Sequence, residues 1–134
     1  MDNPKDSEAF YNSGNSKANL GKYKEAIKDY DKAIELNPQY SEAFYNRGVS
    51  KANLGKYEEA IKDFNKAIEL NPTNSEAFYN RGVSKANLGK YEEAIKDYDK
   101  AIELNPKDSD AFYNRGHSKA NLGEYEEAIK DYDK

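Results

Sequence analysis

The chain is expected to fold as an all-α array of antiparallel helical hairpins, and three observations lead there. First, all eight glycines fall in two series (Gly14, Gly48, Gly82, Gly116 and Gly21, Gly55, Gly89, Gly123) and all four prolines in one (Pro4, Pro38, Pro72, Pro106), each stepping by 34 residues. Second, within each period the apolar residues recur every three or four positions, the spacing of one helix face. Third, only 37% of the 134 residues are apolar, 34% are charged and the mean hydropathy is −1.15, where a single thick core needs roughly 45–50% apolar. Scattered apolar residues at this polarity would predict disorder. Placed at a fixed period, they predict repeated units that bury one another's flanks.

The leader Met1–Asp6 reads like the tail of a repeat, Asn3-Pro4-Lys5-Asp6 matching Asn105-Pro106-Lys107-Asp108. Repeats then cover 7–40, 41–74, 75–108 and, truncated, 109–134 of one continuous domain. In the third, Ala77, Phe78, Gly82 and Leu88 make the apolar stripe of a first helix over Ser75–Leu88. Ser75 is the expected N-cap, and Gly89 the left-handed residue that ends the helix. Tyr91, Ala94, Ile95, Tyr98, Ala101 and Ile102 stripe a second helix, opened by Glu92 and Glu93 and ended at Asn105-Pro106. Helices this short are marginal alone. Gly82 facing Ala94 is expected to bring the two backbones close, with Phe78 and Tyr98 beside them.

Composition excludes several functions. There is no Cys, so no disulfide framework or thiolate site. Net charge is −4 with both signs interspersed, which argues against nucleic acid. No apolar run nears the ~18 residues of a membrane span, and the N-terminus is no signal peptide; a cytoplasmic location is expected. His117, the sole histidine, has no signalled partner and reads as a surface substitution. Pairs such as Asp29/Asp31 and Glu58/Glu59 read as solvated helix faces without metal-loop spacing. Each glycine stands alone, so no phosphate loop exists. A non-enzyme without cofactor or metal is expected.

The pattern Phe44, Arg47-Gly48, Lys51, Ala60, Phe64, Pro72, repeated in the same frame, resembles the tetratricopeptide repeat family over nearly the whole chain. The resemblance implies a right-handed superhelical solenoid that acts as a protein-interaction scaffold. Two departures stand out: Arg47, Arg81 and Arg115 replace the family's leucine, and Lys17, Lys51, Lys85 and Lys119 its tyrosine. Because the first repeat carries Ser13 instead, each Arg is expected to reach back to the preceding repeat, pairing Arg47 with Asp29, Arg81 with Asp63 and Arg115 with Asp97. The alternative is an Arg stem lying over apolar surface with its head in water.

In that superhelix the first helices line a concave groove, which here would carry four ladders: acidic (Glu8, Glu42, Glu76, Asp110), aromatic (Tyr11, Tyr45, Tyr79, Tyr113), amide (Asn12, Asn46, Asn80, Asn114) and variable (Asn15, Val49, Val83, His117). Asn53 and Asn87, with Asn19 and Asn121, lie along the edge, over a floor of Ala18, Ala52, Ala86 and Ala120. Amides offer donors and acceptors to an extended peptide, tyrosines offer stiff contact area, and the acids favour a basic or neutral ligand. The carboxylate clamp that some members use for acidic C-terminal peptides is rejected. Its asparagines match Asn15 and Asn46, but Tyr11, Glu76 and Asn80 stand where it needs basic residues. RNA-binding helical hairpins have a similar period, but an acidic groove would repel phosphate.

The rival reading is structural. Tyr125, Ala128, Ile129 and Tyr132 are expected to form an under-covered flank in the last repeat, open to a homodimer or head-to-tail assembly. Repeats two and three differ only at Phe64/Tyr98, Asn65/Asp99, Thr73/Lys107 and Asn74/Asp108. Such uniformity fits recent duplication or an excised or engineered array.

Overall fold

The computed structural model describes residues 4–134 and contains eight α-helices. They are α1 (Pro4–Asn19), α2 (Tyr23–Leu36), α3 (Ser41–Asn53), α4 (Tyr57–Leu70), α5 (Ser75–Asn87), α6 (Tyr91–Leu104), α7 (Ser109–Asn121) and α8 (Tyr125–Tyr132). They form two compact units, the first over Met1–Pro72 with α1–α4 and the second over Thr73–Lys134 with α5–α8. In each unit consecutive helices pair, and the first helix of one hairpin also touches the first helix of the next. Met1–Asn3 of the expected leader lie outside the described residues. Pro4–Asp6 belong to α1, which Pro4 opens from the first helical position, where its missing N–H costs nothing.

The hairpin turns follow from one glycine each. Gly21, Gly55, Gly89 and Gly123 have φ between +77° and +81°, the left-handed region. At α5 the Gly89 N–H donates to Ala86 O and the Lys90 N–H to Lys85 O, both at 2.9 Å, which caps carbonyls the helix leaves open. The N-terminal caps correct the sequence reading. Ser75 is the first residue of α5, and the cap is Asn74, whose Oδ1 accepts from the Ala77 N–H at 3.2 Å; Asp108 does the same for α7. The repeat serines have another use. In the first unit Ser7 Oγ donates to Ala33 O at 2.9 Å and Ser41 Oγ to Ala67 O at 3.1 Å, tying the start of α1 to the end of α2 and the start of α3 to the end of α4.

The core is thin and built of small residues. In the first unit Ala26, Ala33, Ala43, Ala60 and Ala67 are fully buried around Tyr30 and Phe64, and in the second Ala77, Ala94, Ala101 and Ala111 around Tyr98. The buried glycine of each first helix faces an aromatic ring. A Cβ on Gly48 would lie 2.7 Å from Phe64, and one on Gly82 would lie 2.8 Å from Tyr98 and 3.2 Å from Ala94 O. Gly82 does approach Ala94, as expected, but the aromatic ring sets the closest distance.

Candidate interaction surface

Three of the second helices each bury a carboxylate against the first helix of their own hairpin. Asp63, Asp97 and Asp131 sit on second helices, 3–4% exposed. Arg47 grips Asp63 with two bonds, Nε to Oδ2 at 2.9 Å and Nη2 to Oδ1 at 2.7 Å, while Lys51 adds a 3.1 Å contact. Arg81 and Lys85 hold Asp97 in the same way, and Arg115 and Lys119 hold Asp131. Each guanidinium also lies 5.2–5.4 Å from the centre of a phenylalanine ring, Phe44, Phe78 or Phe112.

The expected pairs are therefore corrected. Arg47 bonds its own hairpin's Asp63 and, across to the preceding hairpin, Asp31 at 2.8 Å instead of Asp29. Arg115 likewise takes Asp131 and Asp99 instead of Asp97. Arg81 takes Asp97, and Asp63 is occupied by Arg47 and Lys51. The reach from the first helix fits the carboxylate directly opposite, and two residues further along the preceding hairpin fits the free Nη1. The alternative of a solvated Arg head is overturned for Arg47 and Arg115. Both departures from the family pattern thus have one cause: Arg and Lys, four residues apart on one helix face, converge on a single buried acid. Asp29 is held by Ser13 Oγ at 2.6 Å and Lys17 at 2.8 Å.

Charge states follow. Burial pushes the Asp131 carboxyl up, but the bonds from Arg115 and Lys119 outweigh it and the group stays below its ordinary value. Asp29 shows the same balance with Lys17 and Ser13. Burial works against the Arg47 charge, yet Asp63 and Asp31 hold it above its usual value.

The first-helix face itself is less open than the sequence suggests. Tyr11 packs at 4.9 Å on Tyr40 and 6.1 Å on Tyr30, Tyr45 at 5.9 Å on Phe64, Tyr79 at 5.9 Å on Tyr98 and Tyr113 at 5.5 Å on Tyr132. Of the aromatic ladder only Tyr113 is exposed; Tyr11, Tyr45 and Tyr79 are half-buried. Glu8, Glu42, Glu76, Asp110 and Asn12 are exposed, and Val49 and Val83 are half-buried. His117 is exposed and stacks on Tyr113 at 6.2 Å. Burial, with the neighbouring Tyr11, Glu42 and Glu8 charges, pushes the Tyr40 hydroxyl up to about 12.

The amides spend their hydrogens inside the chain. Asn46 Nδ2 donates to Tyr11 Oη at 2.9 Å and to Asn15 Oδ1 at 3.1 Å, and Tyr30 Oη donates to the same Asn15 oxygen at 2.6 Å. Asn114 Nδ2 donates to Tyr79 Oη and Asp110 O. Asn80 Nδ2 donates to Glu76 O. The edge residues Asn53, Asn87 and Asn121 donate back to Val49 O, Val83 O and His117 O, all at 2.9 Å. Because a carbonyl can only accept, each edge amide meets it through Nδ2 and keeps its own oxygen free to accept.

A cavity opens on this face in each unit: about 430 Å³ in the first, walled by Asn15, Tyr30, Asn46 and Val49, and about 300 Å³ in the second, walled by Val83, Tyr98, Asn114 and His117. On α8, Tyr125, Ile129 and Tyr132 are exposed (66%, 58% and 41%). Ala128 is not part of that flank. It is buried inside the hairpin, its carbonyl 3.0 Å from where a Gly116 Cβ would sit.

The tetratricopeptide repeat pattern matches residues 41–74, 75–108 and 97–130, and a related TPR repeat pattern matches 14–55. The chain belongs to the tetratricopeptide repeat family. Its fold is the all-α solenoid of helical hairpins found in solved members. The crystal structure of MamA superposes with a TM-score of 0.93 at 26% identity, covering 98% of this chain and 77% of MamA. The first TPR of Spaghetti (RPAP3), bound to the HSP90 peptide SRMEEVD, gives 0.88 at 30% identity over 90% of this chain and 96% of that one. The first TPR domain of human RPAP3 gives 0.87 at 31% over 92% and 98%. No curated protein matches the chain. This tetratricopeptide family is one of interaction scaffolds, not of enzymes. Among the described residues no helix is long and apolar enough to cross a membrane.

Proposed function

We propose that this tetratricopeptide chain is a protein-interaction scaffold whose first-helix face binds an extended peptide rich in hydrogen-bond donors, basic or neutral overall. One observation carries the reading: the edge amides Asn53, Asn87 and Asn121 each spend an Nδ2 hydrogen on a carbonyl of their own helix and keep Oδ1 free to accept, on the same helices' face as the exposed carboxylates of Glu8, Glu42 and Asp110. A surface of acceptors asks for donors: backbone N–H groups, lysine or arginine. The RPAP3 relative holds SRMEEVD, a peptide rich in carboxylates. Here the lysines and arginines of the first helices face the buried aspartates instead, and such a peptide would meet like charge.

Fluorescence anisotropy with labelled extended peptides tests this. Lysine- and arginine-containing peptides should bind, more weakly as salt rises, and Glu8→Gln with Glu42→Gln should weaken them. Preference for an acidic peptide, or no binding at all, refutes it.

A second reading rests on α8, whose Tyr125, Ile129 and Tyr132 are exposed while the equivalent Tyr23, Ile27 and Tyr30 of α2 lie half-buried or buried beside α3. That face fits a first-type helix, and a second copy would supply α1. Sedimentation across a concentration series, with Ile129→Lys as control, decides between self-association and a monomer.

A further inference from the structure

The two cavities are copies with one consequential difference. Their nine lining positions correspond one for one at a spacing of two repeats, and only two change residue type: Asn15 becomes Val83, and Val49 becomes His117. In the first unit the tyrosine at the back is satisfied by the chain's own carboxamide, since Asn15 Oδ1 accepts from Tyr30 Oη at 2.6 Å and from Asn46 Nδ2 at 3.1 Å. In the second unit Val83 offers no acceptor. Tyr98, 1% exposed, lines the cavity, and its hydroxyl makes no hydrogen bond among the described residues. The hydroxyl therefore opens onto the cavity with no acceptor of the chain beside it, free to donate to a ligand. Asn114 Nδ2, the equivalent of Asn46, gives its second hydrogen to Asp110 O on its own helix.

We propose that the second-unit cavity is a subsite for a primary carboxamide, the side chain of a glutamine or asparagine on the bound peptide, occupying the place that Asn15 fills in the first unit. The inference rests on the reading of the first-helix face as a peptide surface. The ligand carbonyl accepts from Tyr98 Oη, and its NH₂ meets the free oxygens of Asn87 and Asn121, which line the cavity and each spend an Nδ2 hydrogen on Val83 O or His117 O. A carboxylate fits less well, because it brings no hydrogen to those oxygens. Burial, together with Tyr79 and Asp97, raises the Tyr98 hydroxyl above its ordinary value, so it remains a donor at neutral pH.

The test is NMR of the full chain titrated with N-acetyl-glutamine N-methylamide, against the norleucine and glutamate analogues. The glutamine probe should shift Val83, Tyr98 and His117 resonances saturably in the millimolar range, about tenfold tighter than either analogue. Val83→Asn should supply the internal cap and abolish the response, while Asn15→Val should create a second site around Tyr30. Circular dichroism confirms that both variants fold. No saturable shift, equal response to norleucine, or an unaffected Val83→Asn overturns the subsite. A basic peptide measured with and without one glutamine separates the two readings: equal binding sinks the subsite alone, and no binding of either peptide sinks the peptide surface.

Discussion

The first two hairpins place an aspartate at the same point and satisfy it by different means. In hairpin one Asp29, its side chain 14% exposed, is met by the Ser13 hydroxyl and by Lys17, itself 39% exposed. In hairpin two Asp63, 6% exposed, is met by the bidentate Arg47 and by Lys51, 17% and 16% exposed. Serine reaches only its own hairpin. Arginine has a third nitrogen to spare and bonds Asp31 behind it. A small polar residue completes a hairpin; an arginine also links one hairpin to the hairpin before it.

The contrast is broken most violently by removing the buried acid. Asp63→Ala leaves two half-buried cations with only the exposed Asp31 and Glu59 as partners and should cost about 3 kcal/mol. Asp29→Ala frees a lysine already near water and should cost about 1 kcal/mol or less. Urea unfolding of the two variants measures the gap, and equal losses would show that the arginine adds nothing. Restoring the family residues together, Arg47→Leu with Lys51→Tyr, should not rescue Asp63, which would then be buried without a partner.

Next in size is the glycine contact. Gly14→Ala and Gly48→Ala each drive a methyl to 2.7 Å from an aromatic ring, an overpacking worth about 1–3 kcal/mol. Tyr30 is tethered by its hydroxyl to Asn15 and Phe64 has no hydroxyl, so Gly14→Ala should be the costlier of the two. Gly55→Ala meets no neighbour within 4 Å and should lose only the left-handed penalty, about 1 kcal/mol. Asn74→Ala removes a cap and should cost about 1 kcal/mol by thermal unfolding. Tyr40, at the same position before α3, makes no side-chain cap bond, so loss on its replacement would report the Tyr11 stacking instead.

The smallest effects are in pH. Asp29 and Asp131 are held below the ordinary carboxyl value in the fold. Their contribution is therefore full above the unfolded value of about 3.9 and is lost as pH falls through the folded one. Asp131→Asn should flatten that acid limb. Tyr40 runs the other way. Raised to about 12, it contributes fully below the unfolded value of about 10 and loses that contribution as pH climbs toward 12. An absorbance titration should show it ionising late.

Much of this was legible in the chain. The spacing of glycine, proline and apolar residues placed the two helices of the third repeat within a residue of where they lie, because helix period and turn conformation are local properties; only α1 starts earlier, at Pro4, inside the stretch read as a leader. The unusual Arg and Lys were visible as departures, and a structural role for them was a correct inference. Their partner was not legible, since Asp29, Asp31 and Asp63 are alike as letters and differ only in position across a hairpin. Nor was the direction of the amides. Asn53 can be read as donor and acceptor until its helix supplies Val49 O, four residues back, as the acceptor that uses its hydrogen. The Tyr98 hydroxyl could have been noticed from Asn15 and Val83 falling at one repeat position, had it been known that this position touches the ring.

The sequence by itself determined a family, a repeat and the hairpin that the repeat encodes, because each depends on neighbours along the chain. Only the tertiary structure decided which carboxylates are buried, which acid each arginine takes and which tyrosine lacks an acceptor. Those depend on how far a side chain reaches across the gap between two helices, a distance that composition and period do not contain.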